Sequence, residues 1–163
     1  MTKDELKALA ATVAQNFGFP VSLVQAICQV ESSWEPGATR FEKNYQWLYK
    51  PESFVWSGND LKTETQFQKT SLGLMQLMGA ATRERGFTGN LPDLLTNPAL
   101  SLHYSCEHLL WMQEHHGEDG WQGIVRAWNT GRNEETPAGL AYQTKINKAL
   151  GGAWPGSETS PRI

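Results

Sequence analysis

Apolar residues recur at spacings of three and four along most of this chain, which is the signature of helices that bury one face. Leu6, Leu9, Ala10, Val13 and Phe17 mark a first helix that Gly18 and Pro20 bring to an end. Val24, Ile27 and Cys28 mark a second, running to about Ser32. A short helix is expected near residues 61 to 68, and AATRERG reads as another that stops with Gly86 in the C′ position. Asn97 is placed to cap the longest helix, on which Ala99, Leu102, Cys106, Leu109, Leu110 and Gln113 share a face until Gly117. Trp121, Ile124, Val125 and Trp128 repeat the pattern, and a last helix covers about 138 to 150. The class is therefore mainly α.

Two stretches break the periodicity. Residues 33 to 60 set Pro36, Gly37, Pro51 and Gly58 among Trp34, Phe41, Tyr45, Trp47, Tyr49, Phe54 and Trp56, a long aromatic loop with room for one short helix. Its aromatics argue against disorder, because such residues bury surface. From Gly151 the chain turns rich in Gly, Pro and Ser. No internal repeat or linker divides what precedes. At 163 residues and 39% hydrophobic, the length suits one core. The expected organisation is a single domain over 1-150 with a flexible tail over 151-163.

One position on a helical stripe carries the wrong kind of residue. Val24, Ile27 and Cys28 fall at i, i+3 and i+4, and the next place, i+7, is Glu31. Burying an ionised carboxylate costs several kcal/mol unless it is paired or protonated. The last turn of a helix, with its partial negative charge, disfavours the ionised form further. A carboxylic acid that keeps its proton near neutral pH is what general acid catalysis requires. Periodicity alone fits equally a Glu31 that caps a neighbouring helix or pairs with an arginine from the loop.

A formal net charge of -3 argues against a protein whose main business is holding nucleic acid or an anionic membrane by charge. Seven tryptophans point instead to uncharged binding through flat faces and amides, or to core filling. The amino terminus, MTKDELKALAATVAQNFGF, alternates charge with apolar residues and shows no signal peptide. No run approaches the roughly 18 apolar residues of a membrane span. The chain is thus expected to be made in the cytoplasm without membrane insertion, and Cys28 and Cys106, each on an apolar stripe, to be buried free thiols. His103, His108, His115 and His116 cluster about Cys106, but positions 103 and 106 supply only two ligands on one face, too few for a metal. Neither metal nor cofactor is expected. GxSxG, HExxH and P-loop patterns are absent.

Three blocks, ESSWEPGA, SLGLMQLMGAAT and RAWNTG, resemble in order and character the signature blocks of the soluble lytic transglycosylases, relatives of goose-type lysozyme. The resemblance covers about residues 20 to 146. It implies a lysozyme-like fold of the α+β superfamily, with little or no strand and a substrate cleft, acting on the glycan strands of peptidoglycan. Glu31 matches the catalytic acid and base. Ser71, Gly73, Leu74, Met75 and Gln76 match a segment lining the cleft floor, with Met75 and Gln76 facing the sugar near the scissile bond. Asn129 and Gly131 match the third block, where Trp128 stands in place of the usual tyrosine. Tyr142 matches a later tyrosine that orients the glutamate. Leu74, Met75 and Trp128 also fit plain core positions, and Asn129 with Gly131 fits a helix end with a C′ glycine.

The resemblance implies one carboxylate where most glycosidases use two. The protonated glutamate cleaves the β-1,4 bond between N-acetylmuramic acid and N-acetylglucosamine, then deprotonates the muramoyl C6 hydroxyl, which closes on C1 as a 1,6-anhydro end. A rival, hydrolytic muramidase of goose-type character needs a second carboxylate. Glu42 and Glu64 lie between the first two blocks, and Glu64, at i, i+4 to Gln68, is the better candidate; its plain reading is a solvated helix charge. A rival of another class is a glycan-binding phage structural module that lost the chemistry. Within the family the absent signal peptide and the long loop after the first block most resemble phage or prophage lysis enzymes, which implies action on the wall in the periplasm, a holin-type companion for export and a monomer. Trp34, Tyr45, Trp47 and Trp56 are candidates for extra sugar subsites, a lid or core packing.

Overall fold

A computed structural model describes residues 1–156 of the chain. It is mostly helical with one small sheet, as the hydrophobic pattern requires. The described residues divide into two compact units, one of 1–30 with 106–156 and the other of 31–105, the divisions falling within helices.

The first unit begins with α1, Lys3–Phe17. Thr2 accepts from the Glu5 backbone while the Glu5 side chain accepts from the Thr2 backbone, a reciprocal cap that satisfies two otherwise orphaned donors. Left-handed Gly18 ends the helix. α2, Val21–Ser32, follows and buries Leu23, Val24, Ala26, Ile27 and Cys28. At the other end of the sequence the unit holds the later part of α6, Pro98–His116, then a short 3-10 turn, Gly117–Asp119, α7, Gly120–Thr130, and α8, Pro137–Ala149. Trp121 is 1% exposed and meets the ring of Phe19 edge-on at 5.8 Å. Its indole nitrogen donates to the carbonyl of Gly156 at 2.9 Å, and that of Trp154 to Asn147 at 2.8 Å, so the end of the described chain returns to the helices. The rest of the expected tail, 157–163, lies outside the described residues. Cys28 and Cys106 are buried and unbridged.

The second unit contains a three-stranded antiparallel sheet in the order β1-β2-β3: β1, Thr39–Phe41, β2, Thr70–Leu72, and β3, Leu77–Met78. Arg40 pairs with Ser71, and Ser71 with Met78. Between β1 and β2 run a 3-10 turn, Pro51–Phe54, and α3, Leu61–Gln68, capped by the Asp60 side chain. α4, Gly79–Glu84, and α5, Asp93–Thr96, complete it. Leu72, Phe87, Leu91 and Leu94 form its buried cluster, flanked by Phe67, Leu95, Leu100 and Tyr104. Gly79 has to be glycine, because a Cβ there would stand 2.1 Å from the backbone oxygen of Phe67.

Candidate active site

Glu31 lies in the last turn of α2 and is half-buried. The chain then turns sharply. Ser33 and Trp34 adopt φ of 50° and 70°, and the Glu35 amide donates back to the carbonyl of Ser32 at 2.9 Å. Left-handed backbone costs a non-glycine residue about 1–2 kcal/mol, and two in succession persist only where the surroundings impose them. Trp34 supplies part of that force, being 5% exposed. Ser32 supplies another part, since its hydroxyl donates to the carbonyl of Leu74 at 2.8 Å. The first block is thereby fastened to the second.

The second block is a hairpin closed by its own side chains. Gly73 and Gln76 bracket the turn at φ of 76° and 52°, with the Gln76 amide donating to the carbonyl of Gly73 at 3.2 Å. A Cβ on Gly73 would sit 2.2 Å from the Ser101 hydroxyl, so position 73 needs glycine twice over, for its dihedral and for the space. The Gln76 carboxamide spends both N–H groups inside the protein, on Ala38 O at 2.9 Å and Gly73 O at 2.8 Å, and accepts from Ser71 Oγ at 2.8 Å. Leu74 and Met75 are 0% exposed. The expectation that Met75 faces a sugar is thus corrected. The reversal of the chain at Gly73 sends both side chains into the core, and the partly exposed surface of this turn belongs to Gln76.

The third block forms the end of α7. Trp128 is half-buried and set edge-on to His108, ring centroids 5.6 Å apart. Asn129 is exposed, and left-handed Gly131 closes the helix with its amide on Ala127 O at 2.8 Å. Tyr142 is 5% exposed on α8. Among the described residues no three His, Cys, Asp or Glu side chains are grouped to hold a metal ion. His108, Trp111 and His115 instead stack as rings along α6.

A family model, the transglycosylase SLT domain, matches residues 8–150. The chain belongs to this family. Its members are lytic transglycosylases acting on peptidoglycan. Comparison with curated proteins and with solved structures gives no match.

In this SLT domain Glu64 is neither a solvated helix charge nor an accessible acid. It is 1% exposed and all four of its acceptor sites are filled. Oε1 accepts from Arg83 Nε at 2.8 Å and Gln68 Nε2 at 2.9 Å; Oε2 accepts from Arg83 Nη2 and Asn59 Nδ2, each at 2.9 Å. Burial pushes the carboxyl pKa up, but the hydrogen bonds from Arg83, Gln68 and Asn59, with the charge of Arg83, outweigh it and hold the group below its ordinary value. Arg83 Nη1 donates to the carbonyls of Phe87 and Gly89, and its guanidinium lies 4.1 Å from the centre of the Phe54 ring. Residues 19 apart in sequence make this pair, so periodicity could not reveal it.

The same network organises the SLT domain's aromatic loop. Gln68 donates to Tyr49 O at 2.9 Å and accepts from Tyr49 N at 2.7 Å, so one carboxamide answers both backbone groups of one residue as a neighbouring strand would. Asn59 also holds Phe54 O at 2.7 Å. Of the four loop aromatics considered for sugar contact, Trp34 is core and Tyr45 half-buried, with burial first and Glu84 second raising its pKa. Trp47 is 68% exposed and edge-on to Tyr45 at 5.5 Å; Trp56 is 37% exposed. No helix among the described residues is long and apolar enough to cross a membrane.

Proposed function

We propose that this SLT domain cleaves the β-1,4 bond between N-acetylmuramic acid and N-acetylglucosamine with Glu31 as its single acid and base, leaving 1,6-anhydromuramoyl ends. The observation that carries this reading is the fastening of Ser32 to Leu74, which holds the acid's end of α2 against the second block at the cost of two left-handed residues. Glu31 gives its proton to the glycosidic oxygen as the C1–O bond breaks. The resulting carboxylate takes the C6 hydroxyl proton while O6 bonds to C1, so no water enters and the acid is regenerated. Tyr142 assists the acid through its hydroxyl. The commitment of Glu64 to Arg83 supports one carboxylate rather than two, since that acid has neither a proton to give nor a free oxygen.

Ser71, Gly73 and Gln76 shape the floor in this reading, Leu74 and Met75 support it from the core, and Trp128, Asn129 and Gly131 meet the substrate from the third block. Residues 1–150 work as one catalytic domain and the protein is a monomer. On the likeness of its aromatic loop to phage and prophage enzymes, its role is host lysis, acting on the wall in the periplasm with a pore-forming companion. Mass spectrometry of products from purified peptidoglycan tests the chemistry. Anhydro ends are expected from the native chain and no products from Glu31→Gln. Reducing ends throughout would show hydrolysis, and full turnover by Glu31→Gln would remove Glu31 from the reaction.

A further inference from the structure

Arg126 stands inside the apolar run of α7, two residues before Trp128, and is 4% exposed. An ionised group so placed costs several kcal/mol unless its donors are answered. Here they are answered by three different segments of the same unit. Nε donates to Asn133 O at 2.7 Å, in the connection that follows Gly131; Nη1 donates to Gln143 Oε1 at 2.7 Å, on α8; Nη2 donates to Asp119 Oδ2 at 3.2 Å, in the turn before α7. Asp119 is the anionic partner, yet its side chain is 56% exposed and its contact is the longest of the three, so the ion pair alone does not account for a buried cation.

The aliphatic stem is used as closely as the fork. A Cβ added to buried Gly139, in the first turn of α8, would stand 3.3 Å from Arg126 Cβ. Thr136 caps that turn by accepting from the Gly139 amide at 3.1 Å. One side chain therefore sets how α8 leaves the end of α7: its stem fixes the approach at Gly139 and its fork fixes the rotation at Gln143. Gln143 is the neighbour of Tyr142, and Arg126 shares a helix with Trp128 and Asn129.

We infer that Arg126, acting through Gln143, is the positioning residue that sets Tyr142 against the third block. The inference rests on the function proposed above. Displacements of about 1 Å around reacting groups can cost up to a hundredfold in rate, and the guanidinium resists such displacement because its donors are held in a rigid planar fork and three of them are engaged.

The test uses steady-state cleavage of purified glycan strands by the whole chain. Gln143→Leu keeps the side chain's bulk and removes the acceptor; at a half-buried site it is expected to fold. Turnover, kcat, should fall on the order of tenfold with KM within about twofold, at a temperature where circular dichroism shows native helix. Arg126→Lys, which retains charge and loses the fork, should behave alike, and Gln143→Glu, a stronger acceptor, should restore kcat to within about twofold of native. Adding Gln143→Leu to Tyr142→Phe should cost little more than Tyr142→Phe alone, because residues acting in series are not additive. Undiminished kcat in Gln143→Leu, losses that multiply in the double variant, or a Gln143→Leu chain that does not fold would each overturn the assignment. Full activity in Glu31→Gln would instead remove the function on which it rests, a failure seen without any Arg126 or Gln143 variant.

Discussion

Ser32 Oγ and the carbonyl of Leu74 are 2.8 Å apart, so the residue after the proposed acid is tied to a backbone atom of a hairpin 42 positions later. Ser32→Ala leaves that half-buried carbonyl without this donor. A loss of about 1 kcal/mol is expected, lowering the melting temperature by roughly 2–4 °C. If the tie aligns Glu31, kcat falls by more than this stability change explains, several-fold at temperatures far below melting. A variant that melts early and turns over normally would make Ser32 a structural bond only.

Glu64 and Arg83 make the converse prediction. Removing one member of a buried pair leaves the other uncompensated, so Glu64→Gln should lose about 3–5 kcal/mol, read by urea unfolding. The variant, wherever it remains folded, should still cleave glycan. Turnover lost in a folded Glu64→Gln chain would restore Glu64 as a second carboxylate.

The same pair has a pH signature. The folded pKa of Glu64 lies below its unfolded value. Its contribution to stability is therefore complete above the ordinary glutamate value of about 4.3 and is lost as pH falls through the lower folded value. The stability gap between native and Glu64→Gln chains should stay constant from neutral pH to about 5 and close in stronger acid. A gap that widened toward low pH would reverse the sign of the shift.

Two glycines in one dihedral class should respond differently. Gly73 and Gly131 both have φ of 76°, but an added Cβ meets Ser101 Oγ at 2.2 Å in the first case and nothing within 4 Å in the second. Gly131→Ala should cost only the left-handed penalty of about 1–2 kcal/mol. Gly73→Ala adds overpacking of about 1–3 kcal/mol. Equal losses on denaturation would show that the Ser101 side chain moves aside freely.

Cys106 should be silent to thiol reagents. Burial, and secondarily Glu107, pushes its thiol pKa up to about 12, and the thiolate is the reactive form. Native protein is expected to release negligible chromophore from an aromatic disulfide reagent, and denatured protein to titrate both cysteines of the sequence. Rapid labelling of Cys106 in the native state would show an opening around α6.

Helix boundaries were legible where punctuation is chemical. α3 occupies the expected 61 to 68, and α6 runs from the residue after Asn97 to the one before Gly117, its cap being Asn97 Oδ1 accepting from Leu100 N at 3.1 Å. β1 was not legible, because all three of its residues are exposed and only backbone pairing defines it. α5 is four residues, too short for periodicity to register. The identity of the second block could be read, but not which side chains it shows to solvent, since a hairpin turn carries no period from which to tell Met75 from Gln76. Arg126 left one visible trace, an arginine within IVRAW, yet its partners at Asn133 and Gln143 belong to the folded chain alone.

The middle of the aromatic loop, residues 43 to 48, leaves and rejoins the fold at nearly the same place. Glu42 N donates to Lys69 O at 2.8 Å, and Tyr49 is gripped by the side chain of the preceding residue, Gln68. Residues 43 to 48, which carry Trp47, thus form a cassette with both ends clipped to one corner. Doubling the length of such a segment costs only about 0.6 kcal/mol in closure entropy. The stretch can accordingly be exchanged for a longer, shorter or differently decorated one without refolding its host.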